Sequence, residues 1–534
     1  MKRYIVGTIA ACGLMVVLLA ACNRTGTTQA ATAADEGLFN PTGFPVVNRP
    51  VTLTVFSARN TTDDYNTLPV FKDLEAKTGI HIEWEYPGEE WGTQKPLRLA
   101  SGDLPDIFFT GALSEADVVT NPELFVAMES LIEQYGTNLR AIFQNDPSFE
   151  KFARAADGHI YGLPAQRAKR PVTYSVWGIN QVWLDNLGLA VPTTTEEFYQ
   201  VLKAFKERDP NGNGKADEIG MSILGFDNGD SGPDDLFGSF GLVNSYGNNW
   251  ITVTDGKVQY MAAQDGFVDA IAWFHRLYAE GLMDPETFTH DWGRWRAKGN
   301  PPAGEPDIIG VGTSYALYSM FGTERAKHYT LLMPLKGPKG HQYARWSPDV
   351  VQRGKYVAEI TATCQYPEIA LRWLDALYDE DVSLQLFYGA YGERLEKRDD
   401  GTIYAIPPPA DGSIDSTTWA WSRALNAFAP GYTSNETNQR IIDPTFDEQY
   451  NQKLLLAPYF PKEYYPLAAS TPEEADELAI LRQDIHTYAK SQAATWVVNG
   501  GVEREYPAFL RQIETMGLQR MVNIYQTMYD RHIQ

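Results

Sequence analysis

Val51-Thr-Leu-Thr-Val-Phe56 begins the stretch that decides the fold. It is a β-type run, and the spacing predicts a helix from Tyr65 to Lys77, stopped at Gly79, where a left-handed cap is sterically free. A second strand follows at His81-Ile-Glu-Trp-Glu-Tyr86, and a second helix from Trp91 to Ala100. The turn Ser101-Gly-Asp-Leu-Pro-Asp106 then leads into a third strand, Ile107-Phe-Phe-Thr110. Strand, helix, strand, helix, strand is the pattern of a parallel sheet with helical cover, an α/β fold. Ligands of such sheets sit beyond the carboxyl ends of the strands, so the loops after Phe56, Tyr86 and Phe109 border a candidate site.

Upstream, Lys2 and Arg3 precede an apolar run from Ile5 to Leu19. A basic start, a short apolar segment and small residues before a cut site make a secretory signal. The run is short for a membrane span, which needs roughly 20 apolar residues. Leu19-Ala-Ala-Cys22 resembles a bacterial lipobox. The resemblance implies cleavage before Cys22 and acylation of that cysteine, so residues 1–21 are read as signal peptide and 22–45 as a lipid-anchored flexible tether. Only Cys12, Cys22 and Cys364 occur, and with the first two assigned to the signal and the anchor, Cys364 has no disulfide partner.

The chain has 534 residues, room for two or more domains, and its 43% hydrophobic content suffices for packed cores. The formal net charge is -23; losing Lys2 and Arg3, the only charges in residues 1–21, makes it -25. That surface repels phosphate backbones, which sets nucleic acid aside as a partner.

Several stretches together resemble the extracellular solute-binding proteins, family 1, of ABC importers, including the larger oligosaccharide and alginate binders. They are the Ser101–Ile107 turn, Asp157-Gly-His-Ile-Tyr-Gly-Leu-Pro164, Trp183-Leu-Asp-Asn-Leu-Gly-Leu189, Pro192-Thr-Thr-Thr-Glu-Glu-Phe198, Gly281-Leu-Met-Asp-Pro-Glu-Thr-Phe288, and the segments Trp496 to Gly500 and Tyr525 to Arg531. The fourth also reads as a capping box, Thr194 with Glu197. The resemblance implies a two-lobed clamshell with three inter-lobe crossings. The first lobe is then expected at 46–165 plus about 308–355, with Ile308-Ile-Gly-Val-Gly312 returning to it, and the second at 166–307 plus about 356–534. It further implies a monomer that captures an oligosaccharide and passes it to membrane permease subunits.

Asp209-Pro-Asn-Gly-Asn-Gly-Lys-Ala-Asp-Glu218 is the sharpest motif. Oxygen side chains at alternate positions, with two glycines for a tight turn, suit a hard cation wanting roughly six to eight oxygens. Asp209, Asn211, Asn213, Asp217 and Glu218, with the Lys215 carbonyl, are the expected ligands of a structural Ca2+. The loop resembles an EF-hand but has Gly220 where the bidentate Glu belongs; Glu218 takes that role in the reading. The alternative is a metal-free Asx-rich turn.

Aromatic residues are numerous: 13 Trp, 29 Tyr and 24 Phe. Rings offer flat apolar faces to sugar C–H groups, so those near strand ends and loops are candidate ligand contacts: Trp177, Trp292, Trp295, Trp346, Tyr391, Trp419 and Trp421. Arg345 sits beside Trp346; Arg167, with Lys169 and Arg170, forms a basic cluster at the first crossing. Glu89, with Glu90 and Asp106, offers acceptors for sugar hydroxyls. Any one of these ring residues also fits ordinary core packing. No nucleophile elbow, phosphate loop, zinc-protease helix or Cys-x-x-Cys occurs, so no enzyme is expected. Two rival readings stay open: a surface-anchored polysaccharide-degrading enzyme, which needs only two carboxylates, and a peptide or sensor-type binder on the same scaffold.

Overall fold

The computed structural model describes residues 37–58, 64–87, 91–167, 173, 175–245, 247, 249–346, 353–411, 413–414, 418–419 and 422–534. In chain order its strands are β1 (Val51–Ser57), β2 (Ile80–Glu85), β3 (Ile107–Phe109), β4 (Leu163–Gln166), β5 (Val176–Asn180), β6 (Ile219–Met221), β7 (Ile251–Thr254), β8 (Lys257–Tyr260), β9 (Ile309–Ser314), β10 (Tyr329–Leu331), β11 (Arg353–Ile360), β12 (Leu395–Lys397), β13 (Ile403–Ala405), β14 (Gly431–Tyr432) and β15 (Ile441–Ile442). The opening βαβαβ unit forms as read. β1 pairs in parallel with β2 and β3. The first helix starts later than Tyr65, at Pro69, because proline is favoured at a first helical position; it ends at Gly79, which takes φ 77.

Two main sheets result, of six strands in the order β14-β4-β11-β3-β1-β2 and four in the order β10-β5-β9-β6. Around the first, Leu53, Val55, Phe71, Ile107, Phe109, Trp373 and Leu374 make one core; around the second, Trp183, Leu202, Phe205, Phe237, Trp250 and Phe274 make another. β3, β5 and β9 are buried along their whole lengths, as strands covered on both faces must be.

The partition of the chain differs from expectation. β9 does not return to the first lobe: it pairs antiparallel with β5 and parallel with β6. Its glycines explain why it fits there. A Cβ on Gly310 would lie 2.4 Å from Phe205 Cδ2, and one on Gly312 2.4 Å from Met320 Sδ, so helix side chains pack directly onto the strand backbone. Conversely, β11 lies in the centre of the first sheet, and residues from Ile369 to Ile441 join the first core rather than the second. The C-terminal helices Pro472–Asn499, Val502–Thr515 and Leu518–Ile533 do cover the second core, through Ile485, Trp496, Phe509 and Tyr525. The chain thus crosses after Gln166, again between Trp346 and Arg353, and a third time beyond Ile442. Nor is the stretch up to residue 45 all tether. Leu38 is buried in the first core, and Arg372 donates to the Gly43 carbonyl at 2.5 Å. Among the described residues no helix is long and apolar enough to cross a membrane. Cys364 is buried and unbridged.

Glu359 stands out on β11. It is fully buried, and neither carboxylate oxygen has a hydrogen-bond partner. A Cβ on Gly162 would meet Glu359 Oε1 at 3.2 Å, so a glycine there makes its room. Burial pushes this carboxyl well above the ordinary glutamate value, and the nearby Asp117 charge adds to it. A raised acid keeps its proton in the fold while the unfolded chain has lost it. Its contribution to stability is therefore full below the unfolded pKa of about 4.3 and is lost as pH rises. Glu359→Gln should raise the urea midpoint at pH 8 more than at pH 5; an equal effect at both would show that the carboxyl is ionised in the fold.

Candidate functional site

Strand register shows at which edge of each sheet the chain crosses between the lobes. β11 starts directly after the second crossing, and its Arg353 lies opposite Gln166 at the end of β4, while Ala358 lies opposite Phe109 at the end of β3. The ends of β3 and β4 therefore line the crossing edge of the first sheet. In the second sheet Val176 lies opposite Ser314, so the start of β5 and the end of β9 form the facing edge.

That second-lobe edge is built around the loop Asp227-Asn-Gly-Asp-Ser-Gly-Pro-Asp-Asp235, which follows β6. Asp235 accepts hydrogen bonds from Ser175 Oγ and, at 3.3 Å, from Trp177 Nε1. The Arg345 guanidinium lies 3.7 Å from the same carboxylate and donates to the Gly229 carbonyl at 2.6 Å. Asp230 accepts from the Tyr315 backbone N–H at 2.9 Å and from Ser231 Oγ at 2.8 Å. Burial raises its pKa, and the charge of Lys453 opposes the rise. Lys453 comes from the third-crossing segment; its Nζ stands 3.4 Å from the Tyr315 ring centre, a cation–π contact. Asp234, fully buried, accepts from Trp250 Nε1 at 2.9 Å; burial pushes it up, and Arg345 pulls the other way. Both cations are almost fully buried, Arg345 at 4% exposure and Lys453 at 1%. One comes from each of two crossings, and both serve one acidic loop.

Beside this loop a small pocket, partly open to solvent, is lined by Ser175, Trp177, Asp235, Tyr343, Ala344 and Leu456 among others. Next to it Trp346 stacks on Phe460, with ring centres 5.4 Å apart and planes 9° off parallel, and meets Tyr464 edge-on at 4.9 Å. Trp177, Arg345 and Trp346 are thus brought to one edge of the second lobe, where Trp177 is for the most part a core residue, 7% exposed, and Arg345 is buried.

The other expected contacts scatter. Trp295 is fully buried against Leu317, Met320 and Phe321, so it is core and not a ligand contact; its place on the inner face of the short helix Trp292–Gly299 decides this. Trp292, at the start of that helix, is 46% exposed, under the Arg296 guanidinium. Tyr391 donates to Asp381 at 3.0 Å and lies with Lys397 over its ring. Trp419 donates to the Ile406 carbonyl at 2.9 Å, beneath Arg394 at 4.1 Å. Neither lines the pocket beside Trp177. Arg167 lies against Gly354 on β11, at the crossing edge. Asp106 does not face a ligand groove: it accepts from Thr54 N and Oγ1 at 2.8 and 3.0 Å, tying the turn before β3 to β1. Glu89, Glu90, Lys169, Arg170, Trp421 and Cys22 lie outside the described residues. Asp235, Asp230, Ser175 and Lys453 were missed, though four aspartates within nine residues was a signal.

The loop at 209–218 is preshaped. Asp209 accepts from the backbone N–H groups of Asn213 and Gly214 at 3.1 and 3.0 Å, and Asn213 Oδ1 accepts from Lys215 N at 2.7 Å. Gly212 and Gly214 have φ 69 and 72, as the tight turn requires. Asp217 accepts from the side-chain amides of Asn211 and Asn213, each at 3.1 Å. Glu218 Oε1 is buried without a partner, and burial, with the negative charges of Asp209 and Asp217, raises its pKa. Convergent acids with an orphaned carboxylate oxygen fit a hard cation.

No family model matches the chain. The chain is, however, 29% identical over 545 residues to the fructooligosaccharide ABC transporter substrate-binding protein FusA of Streptococcus pneumoniae, covering 97% of this chain and 96% of that one. The structure of the S. pneumoniae protein in complex with kestose superposes with a TM-score of 0.80 at 27% identity, covering 90% of this chain and 99% of the other. Along nearly its whole length this chain is similar to substrate-binding proteins of ABC transporters. An ABC-transporter-associated solute-binding protein of Bifidobacterium longum infantis, described as HMO-binding, matches with a TM-score of 0.79 at 26% identity, over 90% of this chain and 99% of that one. A further structure of the pneumococcal protein, with fructo-nystose, is described as an EF-hand mutant. Substrate-binding subunits carry no catalysis of their own, and this chain is a binding protein, not an enzyme.

Asp235→Ala leaves the Ser175 hydroxyl and the Trp177 indole N–H without their acceptor. The expected loss of unfolding free energy is about 1–3 kcal/mol, read from urea titration with Asp235→Asn as a milder control. An unchanged midpoint for both would show that the carboxylate does not organise this edge.

Proposed function

We propose that this protein captures an oligosaccharide in the groove between its two lobes and delivers it, chemically unaltered, to a membrane permease of an ABC importer. The observation that carries the reading is the juxtaposition of Trp177, Asp235 and Arg345 beside an open pocket on the groove edge of the second lobe. The part of Trp177 that borders the pocket offers an apolar edge to sugar C–H groups and Asp235 an acceptor for hydroxyls, while the buried Arg345 holds Asp235 in place. Ligand touching both lobes stabilises the closed form by its contacts to each, which is hinge closure. The similarity to a protein named for fructooligosaccharides, whose structure holds kestose, supports a sugar over a peptide. Trp346, on its aromatic stack, extends the apolar platform. Cys22 carries the lipid anchor after signal cleavage and holds the body at the outer face of the membrane as a monomer. The 209–218 loop holds a structural Ca2+ through Asp209, Asn211, Asn213, the Lys215 carbonyl, Asp217 and Glu218. When bound, the ion supplies the positive charge that the loop's three acids lack.

Two measurements test this. A thermal-shift panel of fructooligosaccharides, other oligosaccharides and peptides should show a rise with one sugar class alone. In calorimetry with that sugar, Trp177→Ala should weaken binding by tenfold or more, roughly the 1.4 kcal/mol of one lost ring contact. Response to peptides only, or release of cleaved sugar, defeats the proposal. Separately, EDTA should lower the melting temperature and Ca2+ restore it, and Glu218→Gln should weaken that response; identical melts with and without chelator remove the ion.

A further inference from the structure

We propose that Asp284, Glu286 and His290 form a binding site for a divalent transition metal of the zinc type, apart from the 209–218 loop and from the sugar groove. One ligand atom from each of the three residues lies within 4.8 Å of the other two. The turn that presents them is tightly specified. Asp284 N donates to the Met221 carbonyl at 2.8 Å, Glu286 N to Asp284 Oδ1 at 3.0 Å, and His290 N to the Glu286 carbonyl at 2.9 Å.

The decisive observation concerns His290, whose side chain is fully buried, as is that of Asp284. Its Nε2 lies 3.0 Å from the Ile223 carbonyl oxygen. A carbonyl can only accept, so Nε2 carries the proton and the neutral ring offers a lone pair at Nδ1. That atom has no hydrogen-bond partner and lies 3.7 Å from Asp284 Oδ2. Two buried acceptors facing one another need something positive between them. Lys298 supplies part of it: its Nζ lies 2.8 and 2.9 Å from the Asp284 oxygens and 2.5 Å from Glu286. It leaves Nδ1 unserved, however. Its side chain is 23% exposed, so the ammonium has a way out to water along its flexible stem.

A metal ion bound by His290 Nδ1, Asp284 and Glu286 displaces that ammonium and satisfies the orphaned nitrogen. One nitrogen and two carboxylates suit zinc or cobalt, whereas calcium and magnesium prefer oxygens alone. The outer support is in place: the Nε2–H bond to Ile223 fixes the ring, and Ser222 Oγ donates to Asp284 Oδ2 at 2.8 Å.

The test uses the full-length chain, stripped with chelator and then held in excess Ca2+ so that oxygen sites are filled. Zn2+ is titrated by calorimetry, and Co2+ by visible absorption. One equivalent of Zn2+ should bind, with a Co2+ spectrum of a nitrogen–oxygen site. His290→Gln should weaken Zn2+ binding about tenfold or more and abolish that spectrum, while Lys298→Met, which removes the competing cation, should tighten it. Circular dichroism confirms that each variant is folded. Absence of Zn2+ binding by both the native chain and Lys298→Met, or binding that His290→Gln leaves unchanged, overturns the proposal.

Discussion

The insertion of β11 into the centre of the first sheet is the constraint on which the rest depends. Arg353–Ile360 pairs antiparallel with β3 on one side and β4 on the other, so the sheet has no continuous middle until the chain has left, built most of a second lobe and come back. Two cores cannot be separated from one another when one needs a strand delivered through the other. The same strand fixes the groove, because its first residue sits at the crossing and brings the ends of β3 and β4 to that edge. Sheet pairing of this kind, with partners far apart in sequence, is slow to form and hard to undo locally.

The facing edge is organised by charge. Charge alone would keep the acids of an acidic chain in water, yet Asp230, Asp234 and Asp235 lie in one loop against two nearly buried cations. Arg345 arrives with the second crossing and Lys453 with the third. Burying such groups stabilises little by itself, but removing one partner strands the others, which makes the arrangement specific. The loop is thus a fixed point against which both returning segments are placed, and the Trp177 pocket opens beside it. A scaffold that holds its polar groups ready loses less entropy when a sugar docks.

Much of this was legible in local sequence. The βαβαβ run, the Gly79 stop and the Thr194–Glu197 capping box depend on residues close together, and each formed; Thr194 Oγ1 accepts from Glu197 N at 3.1 Å. The lobe assignment of β9 and β11 was misread because a short apolar strand has the same pattern whichever sheet it joins; the distinguishing feature is glycine packed under Phe205 and Met320, a tertiary fact. Trp177 and Trp346 were picked out as rings at strand and loop boundaries; they lie at one edge of the second lobe, and Trp177 is mostly buried in its core. Trp295 obeyed the same rule and turned out to be core, since a fraction of a turn about the helix axis decides between solvent and interior. Asp235 and Lys453 were passed over because polar runs read locally as loop, and their partners lie far off in sequence, Ser175, Trp177 and Arg345 for the one and Tyr315 for the other.

The central claim is that the two lobes close on a bound oligosaccharide. Spin labels at Leu97 in the first lobe and Val182 in the second, both exposed, report the distance between them directly by pulsed electron resonance. The account predicts a broad or long distance distribution without ligand that becomes shorter and narrower when the sugar identified as ligand is added. A distribution unchanged by saturating sugar would contradict it.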